Sequence, residues 1–152
     1  MPSFPRPDEE FDYSLQTEKE NLDQWLEHRE VPAPNQPGKL LMGSWNIANL
    51  GEQKRTGEDL MLIAHLLSRL DLIAVQEIKS KFTNFEQIVK IMPGYDFVMS
   101  DTGGNNERLG FIYKKEKVTL GKLFAEVAIP LKNFPKLTVN VPWTYRKEKR
   151  VD

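Results

Sequence analysis

The spacing of apolar positions changes several times along the chain, and each change marks an element. Between residues 12 and 29, Leu15, Leu22, Trp25 and Leu26 recur at helical spacing, with Asp12 placed to cap the helix. The stripe predicts a leader helix that docks on the body through Leu22, Trp25 and Leu26. The segment VPAPNQPG (31–38) then holds three prolines and a glycine, which exclude helix and central strand and predict an extended linker. An apolar run of strand length follows at 39–45, KLLMGSW. Residues 57–70 read as a helix: Leu60, Ile63, Ala64, Leu67 and Leu70 share one face, and Thr56 is placed to cap it. LIAVQ (72–76) is a continuous apolar strand. Residues 84–92 predict a further helix with Phe85, Ile88, Val89 and Met92 on one face, a Thr83/Glu86 capping box and a stop at Pro93-Gly94. Strands at 95–100 and 108–113 flank the loop DTGGNNE (101–107). After a turn at Lys114–Glu116, a last strand is expected from Lys117 to about Val127.

Beyond the leader the order is β-α-β-α-β-β-β, which implies an α/β fold with a mixed sheet covered by helices on one face. A run as apolar as LIAVQ implies burial on both faces. The second face then needs its own cover, and nothing after residue 127 reads as supplying one. Two regions follow: an acidic leader helix with a Pro-rich linker over 1–38, and a body over 39–152.

Composition narrows the chemistry. The absence of cysteine excludes disulfide scaffolds, cysteine–zinc sites, iron–sulfur clusters and thiol nucleophiles. No apolar run approaches the roughly 20 residues of a membrane span, and the start lacks the basic-then-apolar pattern of a secretory signal. A cytoplasmic protein with no membrane partner is expected. Net charge is −1, but residues 1–37 carry 3 Lys or Arg against 9 Asp or Glu, whereas 38–152 carry 18 against 13. A basic body suits a phosphate-bearing partner; an ordinary solvated surface would look the same. The two histidines, His28 and His65, have no companion at metal-ligand spacing, so zinc is not expected. There is no phosphate-binding Walker sequence and no nucleophile elbow.

Asn46 stands where the first body strand meets its loop. Its amide could serve a hard cation or a phosphate, or only its own turn. Glu77 ends the apolar run Leu72–Gln76, at the carboxyl edge where ligands bind in open α/β sheets. A carboxylate there needs either a cation or an ion pair, with Lys79 or Lys81 as the nearby candidates. Glu107-Arg108 opens the fourth strand as a rim salt bridge, or as an acid that orients an imidazole beside a phosphate-binding arginine. Lys79 and Lys81 flank the same edge, as nucleic-acid contacts or as plain surface.

Taken in order, Trp45-Asn46-Ile47-Ala48-Asn49-Leu50-Gly51, then Asp71-Leu72-Ile73-Ala74-Val75-Gln76-Glu77-Ile78-Lys79, then Glu107-Arg108-Leu109-Gly110-Phe111-Ile112-Tyr113 resembles the amino-terminal half of the endonuclease/exonuclease/phosphatase superfamily, closest to its DNase I-like branch. The likeness covers about residues 39–127. It implies part of a four-layer α-β-β-α sandwich, here with an amino-terminal helical extension, and Mg²⁺- or Mn²⁺-dependent hydrolysis of phosphodiesters. By that likeness Glu77 is the main metal carboxylate, and Asn46 helps hold the metal or the scissile phosphate. Glu107 is the acid that orients a catalytic histidine, and Lys79, Arg108 and Asn105 face the substrate. The family's catalytic histidine, its Asp-x-Asn pair and its terminal Ser-Asp-His belong to the second half of the domain. No histidine follows His65 here, so the chain is expected to be a truncated and inactive half whose partner is the missing carboxyl-terminal half. The substrate would be nucleic acid or another phosphoester. Two alternatives stand beside this reading: a non-catalytic nucleic-acid-binding or interaction module, and a phosphatase acting on small phosphoesters.

Overall fold

In the computed structural model, which describes residues 12–101 and 106–121, three helices and four strands follow one another. Helix α1 spans Leu15–His28 and is capped by Ser14 rather than Asp12: the serine hydroxyl accepts the Thr17 N–H at 3.4 Å. Its docking also departs from the apolar stripe. Leu26 is buried, but Trp25 is 53% exposed, with the Arg29 guanidinium 5.2 Å from its ring centroid. A step of one residue turns the side chain by about 100° around the helix, so Trp25 and Leu26 cannot share the docked face equally. Polar contacts hold the helix instead. Asp23 Oδ1 accepts from the Arg69 guanidinium at 2.5 Å and lies 3.0 Å from His65 Nε2, and the Tyr13 hydroxyl donates to Asp59 at 2.6 Å.

The linker is bent rather than extended. Asn35 (φ 62°), between Pro34 and Pro37, and Gly38 (φ 68°), after Pro37, are left-handed and lie in turns. Lys117 Nζ reaches the carbonyls of Gln36 at 3.4 Å and Lys39 at 3.1 Å, and Lys114 donates to the Asn35 side chain. Prolines have no N–H to offer a sheet, and the Gln36 carbonyl is satisfied by Lys117 instead of by a strand.

Strand β1 is Met42–Leu50, starting later than the apolar run and continuing through Asn46. Helix α2 is Gly57–Leu67 with the expected Thr56 cap: Thr56 and Asp59 exchange side-chain-to-backbone bonds of 3.1 and 2.6 Å. It stops short of Leu70, and the Leu70 carbonyl is instead met by the Tyr95 hydroxyl at 2.7 Å. Strand β2 is Leu72–Lys79, three residues longer than LIAVQ. Helix α3 is Thr83–Ile91; its cap position is Phe82, with no side-chain cap bond, so the Thr83/Glu86 box does not form. Phe82 packs against the core, and that contact sets the helix start in place of a polar cap. Gly94 (φ 83°) turns the chain into β3, Tyr95–Met99, and β4 is Glu107–Lys114. Residues 115–117 form a turn and 118–121 are in no strand, so the fifth strand does not begin at Lys117; the rest of that segment lies outside the described residues.

The sheet order is β1-β2-β4-β3, with β1 parallel to β2 and β4 antiparallel to both of its neighbours. One face carries Ile47, Leu50, Ile73, Val75, Ile78 and Ile112 into a core with Leu60, Ala64 and Leu67 of α2 and Phe85, Ile88 and Val89 of α3. Phe85 meets Phe97 edge-on at 5.1 Å. Gly110 is needed there, since a Cβ would stand 2.7 Å from Ile78 Cδ1 and 2.9 Å from Phe85 Cζ. The other face does not show the expected burial on both sides. Leu72 and Ala74 are half-buried, Met42, Leu109 and Phe111 are 65, 55 and 40% exposed, and among the described residues no helix or strand packs on them. The protein is thus a mixed α/β structure with a four-stranded mixed sheet. None of its described helices is long and apolar enough to cross a membrane.

Candidate functional site

The carboxyl end of β2 breaks the strand's alternation. Ile73 and Val75 point into the core, and a strict period of two would send residue 77 after them. The β2–β4 register shifts between Val75 and Ile78, Glu77 takes a left-handed φ of 60°, and Ile78 becomes the next residue in the core, fully buried. One extra residue is accommodated in this way, which keeps the glutamate out of the apolar interior. The β1–β2 register shifts in step between Asn46 and Leu50, where Asn49 is also left-handed at φ 49°. Asparagine tolerates that conformation; glutamate at positive φ is strained and needs surroundings that hold it.

Those surroundings are visible. Asn46 Nδ2 donates to Glu77 Oε1 at 2.8 Å, and the Asn49 backbone N–H donates to Oε2 at 3.2 Å. The Asn46 bond, then the Asn49 bond, with the Lys79 charge adding, hold the Glu77 carboxyl below its usual pKa, so it is ionised at neutral pH. Neither Lys79 nor Lys81 takes the role of its hydrogen-bonded ion-pair partner. Lys79 is 6% exposed and donates to Glu107 Oε1 at 2.8 Å. That bond, with the negative charges of Glu107, Glu52 and Glu77, raises the lysine's pKa against the effect of burial. Lys81 is exposed, but its carbonyl matters: Gly51 (φ 104°) passes so close that a Cβ would lie 2.0 Å from it. The loop after β1 therefore closes against the end of β2 only with glycine at that position.

Asn46, Gln76, Glu77, Glu107, Arg108 and Leu109 line one cavity of about 310 Å³. It sits at the carboxyl ends of the two parallel strands. The Arg108 guanidinium lies 5.4 Å from the Phe82 ring centroid, and its buried NH1 has no hydrogen-bond partner among the described residues. The structure thus gathers Asn46, Glu77, Glu107 and Arg108, with Lys79 tied to them through Glu107. Asn105 lies outside the described residues. His65 is engaged with Asp23, and neither histidine lines the cavity. Three participants were not singled out from sequence. Asn49 could have been, as a residue type suited to positive φ; Gln76, which donates to Ser44 at 3.0 Å, had only its place beside Glu77; Leu109 carried no signal.

Among the side chains lining the cavity, oxygens are offered by two carboxylates and the Asn46 and Gln76 amides. This set suits a hard, hydrated cation such as Mg²⁺, which takes few protein ligands and keeps its waters. It is thin: among the described residues no three His, Cys, Asp or Glu side chains gather as a metal-holding group, and one Glu107 oxygen already faces Lys79. A scan against protein-family models and a search of curated proteins find no match to the chain.

Proposed function

We propose that the chain carries the amino-terminal half of a cytoplasmic, metal-dependent phosphodiester hydrolase of the DNase I-like kind. In this reading the four-stranded sheet is one of the two inner layers of an α-β-β-α sandwich. The observation that carries the reading is Glu77, a strained left-handed residue whose two carboxylate oxygens are held by Asn46 and Asn49 and which lines a cavity with Arg108. Glu77 and the Asn46 oxygen would hold Mg²⁺ or Mn²⁺, which supplies charge to polarise a phosphoryl oxygen. The Arg108 guanidinium at the cavity suits the phosphate, and the Lys79–Glu107 pair fixes the wall beside it. Neither histidine lines the cavity, so a histidine general base, worth roughly 10²–10⁴-fold, is not supplied there by the described residues.

The test is Mn²⁺ titration by calorimetry together with EDTA-controlled plasmid nicking and hydrolysis of a chromogenic phosphodiester. The chain should bind Mn²⁺ weakly, lose that binding in Glu77→Gln, and cut nothing. A chain extended by any coding sequence past Asp152 that adds a His and an Asp-x-Asn should cut, and Glu77→Gln should silence it. Full activity of the extended Glu77→Gln chain would remove Glu77 from the metal site. A second reading, a module that binds nucleic acid without cutting it, is favoured by the thin ligand set. DNA binding that survives both EDTA and Glu77→Gln would select it.

A further inference from the structure

The Asn46 side chain and the Asn49 N–H together hold the Glu77 carboxylate, but the strand ladder places only the first of them. Asn46 stands opposite Gln76 in the β1–β2 register, whereas the register breaks between Asn46 and Leu50 and leaves Ala48 and Asn49 outside the paired positions. The orientation of the peptide unit that joins Ala48 to Asn49 therefore has another source. The unit is planar and trans, so its carbonyl oxygen and its N–H point in opposite directions. Its N–H donates to Glu77 Oε2 at 3.2 Å, and its oxygen accepts from the Arg55 guanidinium at 2.7 Å. One rigid unit thus stands between a cation and the carboxylate. The same Arg55 nitrogen donates to Gln53 Oε1 at 3.0 Å, and the other terminal nitrogen is buried with no hydrogen-bond partner among the described residues. Withdrawing part of a guanidinium from water is costly, and the bonds to Ala48 and Gln53 offset that cost. The rest of the turn closes without Arg55: the Glu52 and Gln53 N–H groups donate to the Asn49 carbonyl at 3.0 and 3.1 Å.

We propose that Arg55 is a positioning residue of the candidate site: by holding the Ala48 carbonyl it fixes the Ala48–Asn49 peptide unit, and through that unit the Glu77 carboxylate. A unit turned over would present its oxygen to the carboxylate, and a guanidinium on that oxygen prevents the turn. A cation at the carbonyl end also polarises the N–H at the other end, which strengthens the bond to Glu77. The effect on a bound cation rests on the metal-dependent reading of the site; the effect on Glu77 stands without it.

The experiment compares the full chain with Arg55→Met, Arg55→Lys and Lys54→Met by ¹H–¹⁵N spectra and by calorimetric titration with Mn²⁺. In Arg55→Met the Asn49 amide proton should move upfield while the amides of β4 stay in place, and Mn²⁺ affinity should fall at least about threefold, the scale of one hydrogen bond. The sign separates positioning from simple electrostatics, because removing a positive charge near a bound cation raises its affinity when only the charge acts. Lys54→Met takes the same charge from an exposed side chain of the same loop, and should neither move the Asn49 amide nor lower the affinity. Arg55→Lys keeps a charged donor for Ala48 and should recover part of both losses. Should Arg55→Met not fold, Arg55→Lys against the parent decides, with a smaller upfield shift at Asn49 expected. An unmoved Asn49 amide, a rise in the Mn²⁺ affinity of Arg55→Met, or an equal fall in Lys54→Met would each overturn the proposal. An upfield Asn49 amide with no Mn²⁺ binding by any form, the parent included, would uphold the positioning and remove the metal-dependent reading instead.

Discussion

Glu77 shows how one residue can be legible in kind and illegible in conformation. A carboxylate ending an apolar run has to be paired or bound, and that follows from composition alone. Its left-handed backbone does not, because it arises from two strands that slip register together. Replacing it separates the two effects. Glu77→Ala and Glu77→Gly both lose the bonds from Asn46 and Asn49, but only alanine keeps the steric cost of φ 60°. The glycine variant should be more stable than the alanine variant by about 1 kcal/mol in urea unfolding. Equal stabilities would mean that the backbone relaxes there. Lys79 presents the opposite case, a lysine that reads from sequence as a substrate contact or as plain surface and that is buried against Glu107. Lys79→Met should cost about 3 kcal/mol by removing the Nζ–Glu107 bond of a largely buried ion pair, and adding Glu107→Gln should restore part of the loss. Additive losses in the double mutant would contradict direct coupling.

At the scale of elements, periodicity located each described helix and strand, while ends and faces depended on neighbours. Thr56 caps α2 as its local sequence requires, whereas Phe82 displaces the Thr83 cap of α3 because an aromatic ring gains more from the core than a hydroxyl gains from one N–H. The stripe of α1 suggested a buried tryptophan, yet α1 meets α2 chiefly through Asp23, Tyr13 and Leu26. Trp25→Ala should therefore shift stability by less than about 1 kcal/mol in urea, the scale of a surface substitution. A loss of several kcal/mol would restore the stripe as the docking face. Gly110→Ala should cost about 2 kcal/mol, because Ile78 and Phe85 must both move to admit the methyl group. The same measurement would show an unchanged midpoint if α3 could shift as a body.

Across the whole molecule one buried carboxylate joins distant parts of the chain. Asp71 is 1% exposed and accepts from the Leu41 N–H and from Lys117, each at 2.9 Å. Burial pushes its pKa up, but the Leu41 bond and then Lys117 outweigh that and hold it below the usual value. A depressed carboxyl adds stability that is complete above its unfolded pKa of about 3.9 and is lost as pH falls through the folded value. Asp71→Asn should thus lower stability by about 2 kcal/mol at pH 7, and progressively less as pH falls below the unfolded value of about 3.9, where the unfolded carboxyl takes up protons before the native one does. Urea midpoints measured across that range test it, and a difference that grows on acidification would be the wrong sign.

Sequence alone determined the α/β class, the order of elements, the Thr56 cap and the choice of Asn46, Glu77, Glu107 and Arg108 as residues worth finding together. These follow from short-range physics: the side-chain periods of helix and strand, the free N–H groups of a first helical turn, and the intolerance of an apolar strand end for an unpaired charge. Tertiary structure alone decided that the glutamate leaves the core through paired register shifts, that Lys79 serves Glu107 rather than Glu77, and that Trp25 faces water. It also decided that the linker bends to meet Lys114 and Lys117. Each of these depends on which distant residues share the space, and the cost of burying a charge or crowding a backbone is set by those neighbours rather than by the residues beside it in the chain.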